Sequence, residues 1–368
     1  MESRTFFRDC LAELVEKDGT DLHLKAGEAP RIRYQKQLLP ISEATPSNTF
    51  LGELIDSFLS EYQKRKFETL RAIDFSFSLD SLGRFRANAF YQKGELAMVV
   101  RCLKSNIPAF KDLGLPEILN RLTLEERGLI LIAGPVGSGK STTIAAMVNY
   151  INDNRKASLI TLEDPIEYLY KDHLAFISQR EIGLDTDSFL HALRYMVRQD
   201  PDVIVIGEIR DPETLQAALA AAETGRLVIS SVHGKNVQQT FERILGLYPR
   251  EAHEKVLTEL SYNLKGLVSQ RLLRSSDRAK LVPACEVLLA SPAASKVLRE
   301  GLLGKLNQVM QNSRDEGMQS MNQSLLQLFQ EGQITKEDAL AASDNPQELE
   351  MNMKGIFLDE ARGRILDE

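Results

Sequence analysis

The chain has 368 residues, 43% of them hydrophobic and 26% charged, and a net charge of −7. That length can bury two sizeable cores, and the acidic balance argues against a sequence-independent nucleic-acid binder, which carries a basic bias. No apolar run approaches the roughly 18–20 residues of a membrane span, the start Met1-Glu2-Ser3-Arg4 lacks a leader's apolar segment, and Cys10, Cys102 and Cys285 form no Cys-x-x-Cys pair, so there is no zinc signature and a reducing compartment is expected.

In chain order, Phe6, Phe7, Cys10, Leu11, Leu14 and Val15 fall at helical spacing and predict a helix over residues 5–18. Asp21 to Lys25 alternates like a strand, Gly27 to Pro30 turns the chain, and Arg31 to Tyr34 reads as a second strand. One helix is expected near Thr49–Phe67. Asp74 to Leu79 and Arg84 to Tyr91 then read as a hairpin through Asp80-Ser81-Leu82-Gly83, with a further strand from Glu95 to Leu103. This αββαβββ order predicts a small antiparallel sheet with helices on one face. Asn106-Ile107-Pro108 interrupts the pattern, and Leu113-Gly114-Leu115-Pro116 reads as the junction to a second domain.

From about Arg127 strands and helices alternate. Leu129–Ala133, Ser158–Leu162, Val203–Ile206 and Leu227–Ser231 read as buried strands of a largely parallel sheet, which gives an α/β class. Beyond Arg250 the pattern is mostly helical, with Gly332 as a helix stop and Thr335 with Asp338 as a helix start. The polar stretch from Asp344 is expected to be a loosely held tail. The expected domains are therefore residues 1–112, a junction at 113–120, residues 121–343 and a tail at 344–368.

The chemistry is concentrated where the first buried strand ends. Gly134-Pro135-Val136-Gly137-Ser138-Gly139-Lys140-Ser141-Thr142 carries the Gly-x4-Gly-Lys-Ser spacing of a phosphate-binding loop. By chance that spacing arises in only about one chain in a hundred of this length. Such a loop aims backbone N–H groups at one point, where the dipole of the following helix favours an anion. Lys140 would add a charge for the β/γ-phosphates and Ser141 a hydroxyl for Mg²⁺. Two other strands end in acids, at Glu163 and Glu208, and both would emerge at the same sheet edge, where ligands collect in open α/β sheets. Alone, each is better explained as a solvated acid; beside a phosphate loop, catalysis becomes the better account.

Taken together, these motifs resemble the type IV pilus retraction ATPases of the PilT and PilU kind, in the secretion ATPase superfamily. The resemblance rests on Asp21-Leu22-His23-Leu24, on Gly83-Arg84-Phe85-Arg86-Ala87-Asn88-Ala89-Phe90 and on the phosphate loop. It continues through Thr161 to Glu167, Arg198 to Asp202, Gly207 to Asp211, Glu223-Thr224-Gly225, Val232-His233 and Ser269 to Leu273. These blocks run in family order along nearly the whole chain.

The resemblance implies a RecA-like ATPase domain behind a smaller PAS-like α+β domain, ATP and Mg²⁺ as ligands, and a ring of six subunits with nucleotide between the two domains. It implies that Glu208 activates or orients the attacking water, that Glu163 and Glu208 with Ser141 help hold Mg²⁺, partly through water, and that His233 senses the γ-phosphate. Arg84, Arg86 and Arg101 are implied to close over the triphosphate, arginine being suited to bidentate phosphate binding. Alternation with Phe85 equally fits Arg84 and Arg86 to the polar face of a strand, and a lone histidine is often merely structural.

The expected partners are a PilT-type paralogue and an inner-membrane pilus platform protein, with no nucleic acid and no zinc, at the cytoplasmic face of the inner membrane. Arg226 and Gly234 depart from the family's histidine box. Ala294 to Glu300 keeps only the end of the PilT retraction helix, and Gly317 to Gln323 with the acidic tail is closer to the PilU branch. Three other readings remain: a ring subunit that binds ATP without hydrolysing it, an assembly or type II secretion ATPase, and a nucleic-acid motor. Against the last two, the chain has no four-cysteine motif and no basic or aromatic track.

Overall fold

The computed structural model describes residues 2–34, 37–80, 82–103 and 106–356. Apart from the short segment Glu167–Leu169, packing divides the chain between Asn106 and Ile107.

The first unit is built on strands β1 (Asp21–Lys25), β2 (Arg31–Tyr34), β3 (Gln37–Pro40), β4 (Ala72–Leu79), β5 (Gly83–Gln92) and β6 (Glu95–Cys102). Their order is β3-β2-β1-β6-β5-β4, and every neighbouring pair is antiparallel. Alternation decides the two faces. Phe75, Phe77, Phe85, Ala87, Met98 and Val100 turn inward onto Phe7, Leu11, Leu51 and Leu54 of the helices. On the strands' other face lie Asp21, Arg33, Asp74, Arg84, Arg86 and Arg101, placed there by the same period of two.

Two expectations change here. The single helix near Thr49–Phe67 is two, Asn48–Asp56 and Glu61–Leu70, because Ser60 and Gln63 form a reciprocal capping box that starts the second. Strand β3 is additional; all four of its residues are exposed, so it has no apolar alternation to read. Leu79 pairs with Gly83 at the expected hairpin, whose Ser81 lies outside the described residues.

The second unit holds β7 (Gly128–Ala133), β8 (Ser158–Glu163), β9 (Phe176–Glu181), β10 (Val203–Ile206), β11 (Leu227–Val232), β12 (Leu264–Arg274) and β13 (Leu281–Leu289). They form a seven-stranded sheet in the order β13-β12-β7-β11-β10-β8-β9, parallel except for β13 against β12. Strands β7, β10 and β11 are buried at every residue, as a sheet covered by helices on both faces requires.

The stretch beyond Arg250 is mostly helical, as expected, but β12 and β13 interrupt it. Leu264, Leu267 and Val268 stand at helical spacing, yet all are buried in a strand, and a strand buried on both faces has no period of two to display. The junction expected at 113–120 is not an open linker. Residues 110–113 and 118–123 are helical, and Phe110, Leu119 and Leu122 join the core of this unit. The tail does not loosen at Asp344 either. Pro346–Met353 is a helix whose Leu349 is fully buried beside Met321, Leu325 and Val282, with Met353 packed against the same cluster, so two apolar residues in a polar stretch help dock it. Residues 357–368 of that expected tail lie outside the described residues. Among the described residues no helix is long and apolar enough to cross a membrane.

Candidate functional site

Strand β7 delivers the chain into a turn that only glycine can make. Gly134, Gly137 and Gly139 take φ values of 149°, 79° and 87°, a region L side chains rarely adopt. At Gly134 a Cβ would press on Ser138 and stand 2.5 Å from the Gln270 carbonyl oxygen; at Gly139 it would stand 2.8 Å from Gln270 Nε2. The helix Lys140–Asn154 begins directly at Gly139 with no side chain capping it, which leaves its first-turn N–H groups for a ligand. Lys140 Nζ donates to the carbonyls of Gly134 at 2.9 Å and Pro135 at 3.1 Å, so its charge sits on the loop. Pro135, Val136, Gly137 and Ser141 are exposed and Thr142 half-buried, while the Ser138 hydroxyl is buried with no partner among the described residues. A tight glycine cradle, an uncapped helix start and an orphaned hydroxyl fit a phosphate chain.

Parallel register brings the acids to the same edge. Ala133 lies opposite Val232, Ser230 opposite Ile206, and Ile206 opposite Leu162, so Gly134, His233, Gly207-Glu208 and Glu163 all emerge together at the carboxyl ends. The backbone at Gly207 is held by its N–H on Leu162 O at 2.7 Å and by the Ser231 hydroxyl on its carbonyl at 2.6 Å. Glu208 is then clasped from both sides: Arg210 Nε donates to Oε2 at 2.8 Å, and His233 Nε2 stands 3.0 Å from Oε1. The hydrogen bond to Glu208, with the charges of Glu208 and Asp164 behind it, raises the Arg210 pKa. Glu163 Oε1 accepts from Thr161 Oγ1 at 2.7 Å and from Gln179 Nε2 at 3.1 Å. Among the described residues no three His, Cys, Asp or Glu gather as a metal cage. A magnesium ion here would be held by Ser141 and substrate phosphates, with the acids acting through water, the habit of that ion.

The family described as Type II/IV secretion system protein matches residues 6–354. The chain belongs to that family. It is 41% identical over 348 residues to the type IV pilus ATPase PilU of Pseudomonas aeruginosa, covering 95% of this chain and 91% of that protein. It is 35% identical over 339 residues to the PilT pilus ATPase of the same organism, covering 92% and 98%. Its fold superposes on a crystal structure of the pilus retraction motor PilT with bound ADP at a TM-score of 0.86 and 42% identity, over 92% of this chain and 97% of that one.

Within this secretion-family chain, three arginines singled out by sequence share one face of the first unit's sheet. Arg86 and Arg101 face each other across β5 and β6; Arg101 pairs with Asp21 at 2.8 Å and Arg86 with Asp74 at 3.6 Å. Arg84 Nε is buried with no partner among the described residues. Two residues of the second unit were missed as site components. Gln270 braces the phosphate loop, its Nε2 donating to Ser138 O at 2.7 Å and its Oε1 accepting from Thr143 Oγ1 at 2.8 Å. Arg210 is the other, and its spacing of two from Glu208 was the available signal. Burial pushes the Cys10 and Cys285 thiols up to about 12, which leaves both as core residues.

Proposed function

We propose that this chain is a Mg-ATP-dependent motor ATPase that powers type IV pilus retraction, in the manner of PilU. The observation that carries the hydrolytic reading is Glu208, a carboxylate gripped by His233 and Arg210 at the sheet edge where the phosphate loop opens. Residues Gly134 to Thr142 hold the triphosphate through backbone N–H groups, Lys140 meets the β/γ-phosphates, and Ser141 is the hydroxyl ligand of Mg²⁺. Bound magnesium neutralises charge on the phosphate oxygens. Glu208 orients and activates the attacking water, with Glu163 as the second acid on that edge. His233 ties the γ-phosphate end of the site to Glu208. Arg84, Arg86 and Arg101 are the proposed phosphate-binding arginines. The working assembly is a ring of six at the cytoplasmic face of the inner membrane, acting on a pilus platform protein beside a PilT-type paralogue. These last features rest on the resemblance to pilus retraction ATPases.

Phosphate release by the wild type, Lys140→Ala and Glu208→Gln tests the reading. Activity in the first alone supports it, and equal rates in all three refute it. Deleting the protein with and without the paralogue, and watching single pili shorten, tests the motor assignment.

A further inference from the structure

Strand β12 carries Ser269-Gln270-Arg271, and successive side chains of a strand point to opposite faces. Gln270 goes to the phosphate loop, as described. Ser269 and Arg271 go to the segment that follows His233. Ser269 Oγ donates to Lys235 O at 3.2 Å, and Arg271 Nη2 donates to the same carbonyl at 2.9 Å. The segment is also held on its other atoms. Gly234 packs so closely on Thr240 that a Cβ would not fit, Asn236 Nδ2 donates to Asp344 Oδ2 at 3.0 Å, and Val237 N–H donates to the buried Glu286 carboxyl at 2.7 Å.

Arg271 does more than hold Lys235. Its Nη1 donates to Ala342 O, and Nη2 donates to both carboxylate oxygens of Asp344 at 2.7 Å. Asp344 in turn accepts from Asn236, so the contacts close a ring: Lys235-Asn236, Arg271 and Asp344. Ala342 ends the helix Lys336–Ala342 and Asp344 lies in the turn that leads to the helix Pro346–Met353, about seventy residues along the chain from Arg271. One mostly buried guanidinium thus joins that turn to the backbone two residues past His233. Arginine suits the position because its planar fork can satisfy several oxygens in fixed directions.

We propose that Arg271 and Asp344 are positioning residues for ATP hydrolysis. By fixing Lys235 and Asn236 they hold His233 against Glu208, and the turn Ala342–Asp344 thereby sets the turnover rate without touching nucleotide. Nucleotide retention is served by the opposite face of the same strand, through Gln270. The proposal rests on the hydrolytic reading above.

Steady-state phosphate release and ADP-binding stoichiometry, measured on the full chain, separate the possibilities. Asp344→Asn and Arg271→Lys are each expected to lower kcat about five- to tenfold, the worth of about one oriented hydrogen bond, with KM for ATP within about twofold and full ADP stoichiometry. Gln270→Ala is expected to raise KM instead. Either positioning variant turning over at the wild-type rate overturns the proposal. So does a loss of turnover matched by an equal loss of ADP stoichiometry, which would mean unfolding rather than misplacement. A wild type that releases no phosphate overturns the hydrolytic reading and this proposal with it; an active wild type with indifferent variants overturns the proposal alone.

Discussion

The two sheets place their polar chemistry in different ways. In the first unit, β5 alternates Arg84, Arg86 and Asn88 with buried Phe85, Ala87 and Ala89, so polar residues gather along one face of the strand. In the second, β7 is buried from Gly128 to Ala133, and nothing reactive can appear until the strand ends. A one-sided antiparallel sheet spreads function over many neighbours; a two-sided parallel sheet concentrates it at an edge. Substitutions at the edge should therefore cost turnover severely and specifically, and those on the face should cost folding stability mildly.

The largest effect is expected at Glu208. Glu208→Gln removes the carboxylate charge from between His233 and Arg210 and should lower ATP turnover about a hundredfold or more, with nucleotide still retained. Lys140→Ala should lose both turnover and retention. Equilibrium binding of ADP beside phosphate release reads the two apart, and a Glu208→Gln protein at half the wild-type rate would break the edge argument.

Gly134→Ala tests the same edge through the backbone. With φ at 149° and Gln270 O 2.5 Å from the added carbon, the loop must shift, at a cost of about 2 kcal/mol or more. The unfolding midpoint should fall and ADP binding should weaken together.

A third test concerns the buried carboxyl behind the His233 segment. Burial, with Asp344 nearby adding to it, raises Glu286 from 4.5 to about 7 against the opposing effects of the Val237 N–H and Arg271. Between those values the unfolded chain ionises this group while the folded chain keeps it protonated. Folded protein then binds more protons, so stability falls as pH rises from about 4.5 to about 7 and levels off above. Relative to Glu286→Gln, which keeps an acceptor for Val237, the wild type should lose up to about 3 kcal/mol across that window. Urea unfolding of both proteins at about pH 5 and about pH 8 measures it; a constant difference would mean that Glu286 does not titrate there.

How much of this was legible in the sequence follows the same division. The edge is written locally: an apolar run, fixed glycine spacing and an acid directly after a strand give the phosphate loop, Glu163 and Glu208. The braces are not local. Gln270 reaches Thr143 and Ser138 from more than a hundred residues away, and only strand order brings them together. Strands β12 and β13 were missed because burial on both faces erases alternation, and β3 because exposure on both faces does the same. Docking of the last helix draws on Leu349 and Met353 reaching the core and on Asp344 meeting Arg271 just before it, none of which composition can register.

The smallest effects on stability should fall on the arginine face, and they rank by what each arginine leaves behind. Arg101 answers Asp21, whose side chain is only 8% exposed, whereas Arg86 answers Asp74, which is 57% exposed. Removing Arg101 strands a carboxylate largely withdrawn from water, although Thr20 Oγ1 still donates to it at 2.7 Å and Arg33 stands opposite on β2. Arg101→Ala should therefore cost about 1 kcal/mol. Arg86→Ala breaks a pair that water already screens and should cost less than about 0.5 kcal/mol. Urea midpoints of the two variants give the ranking directly. If Arg86→Ala proves the more damaging, the face is not a set of mutually supporting neighbours, and the contrast with the sheet edge fails. If both are mild for stability while ATP turnover drops in each, the arginines are acting on the triphosphate, and the face and the edge serve one reaction.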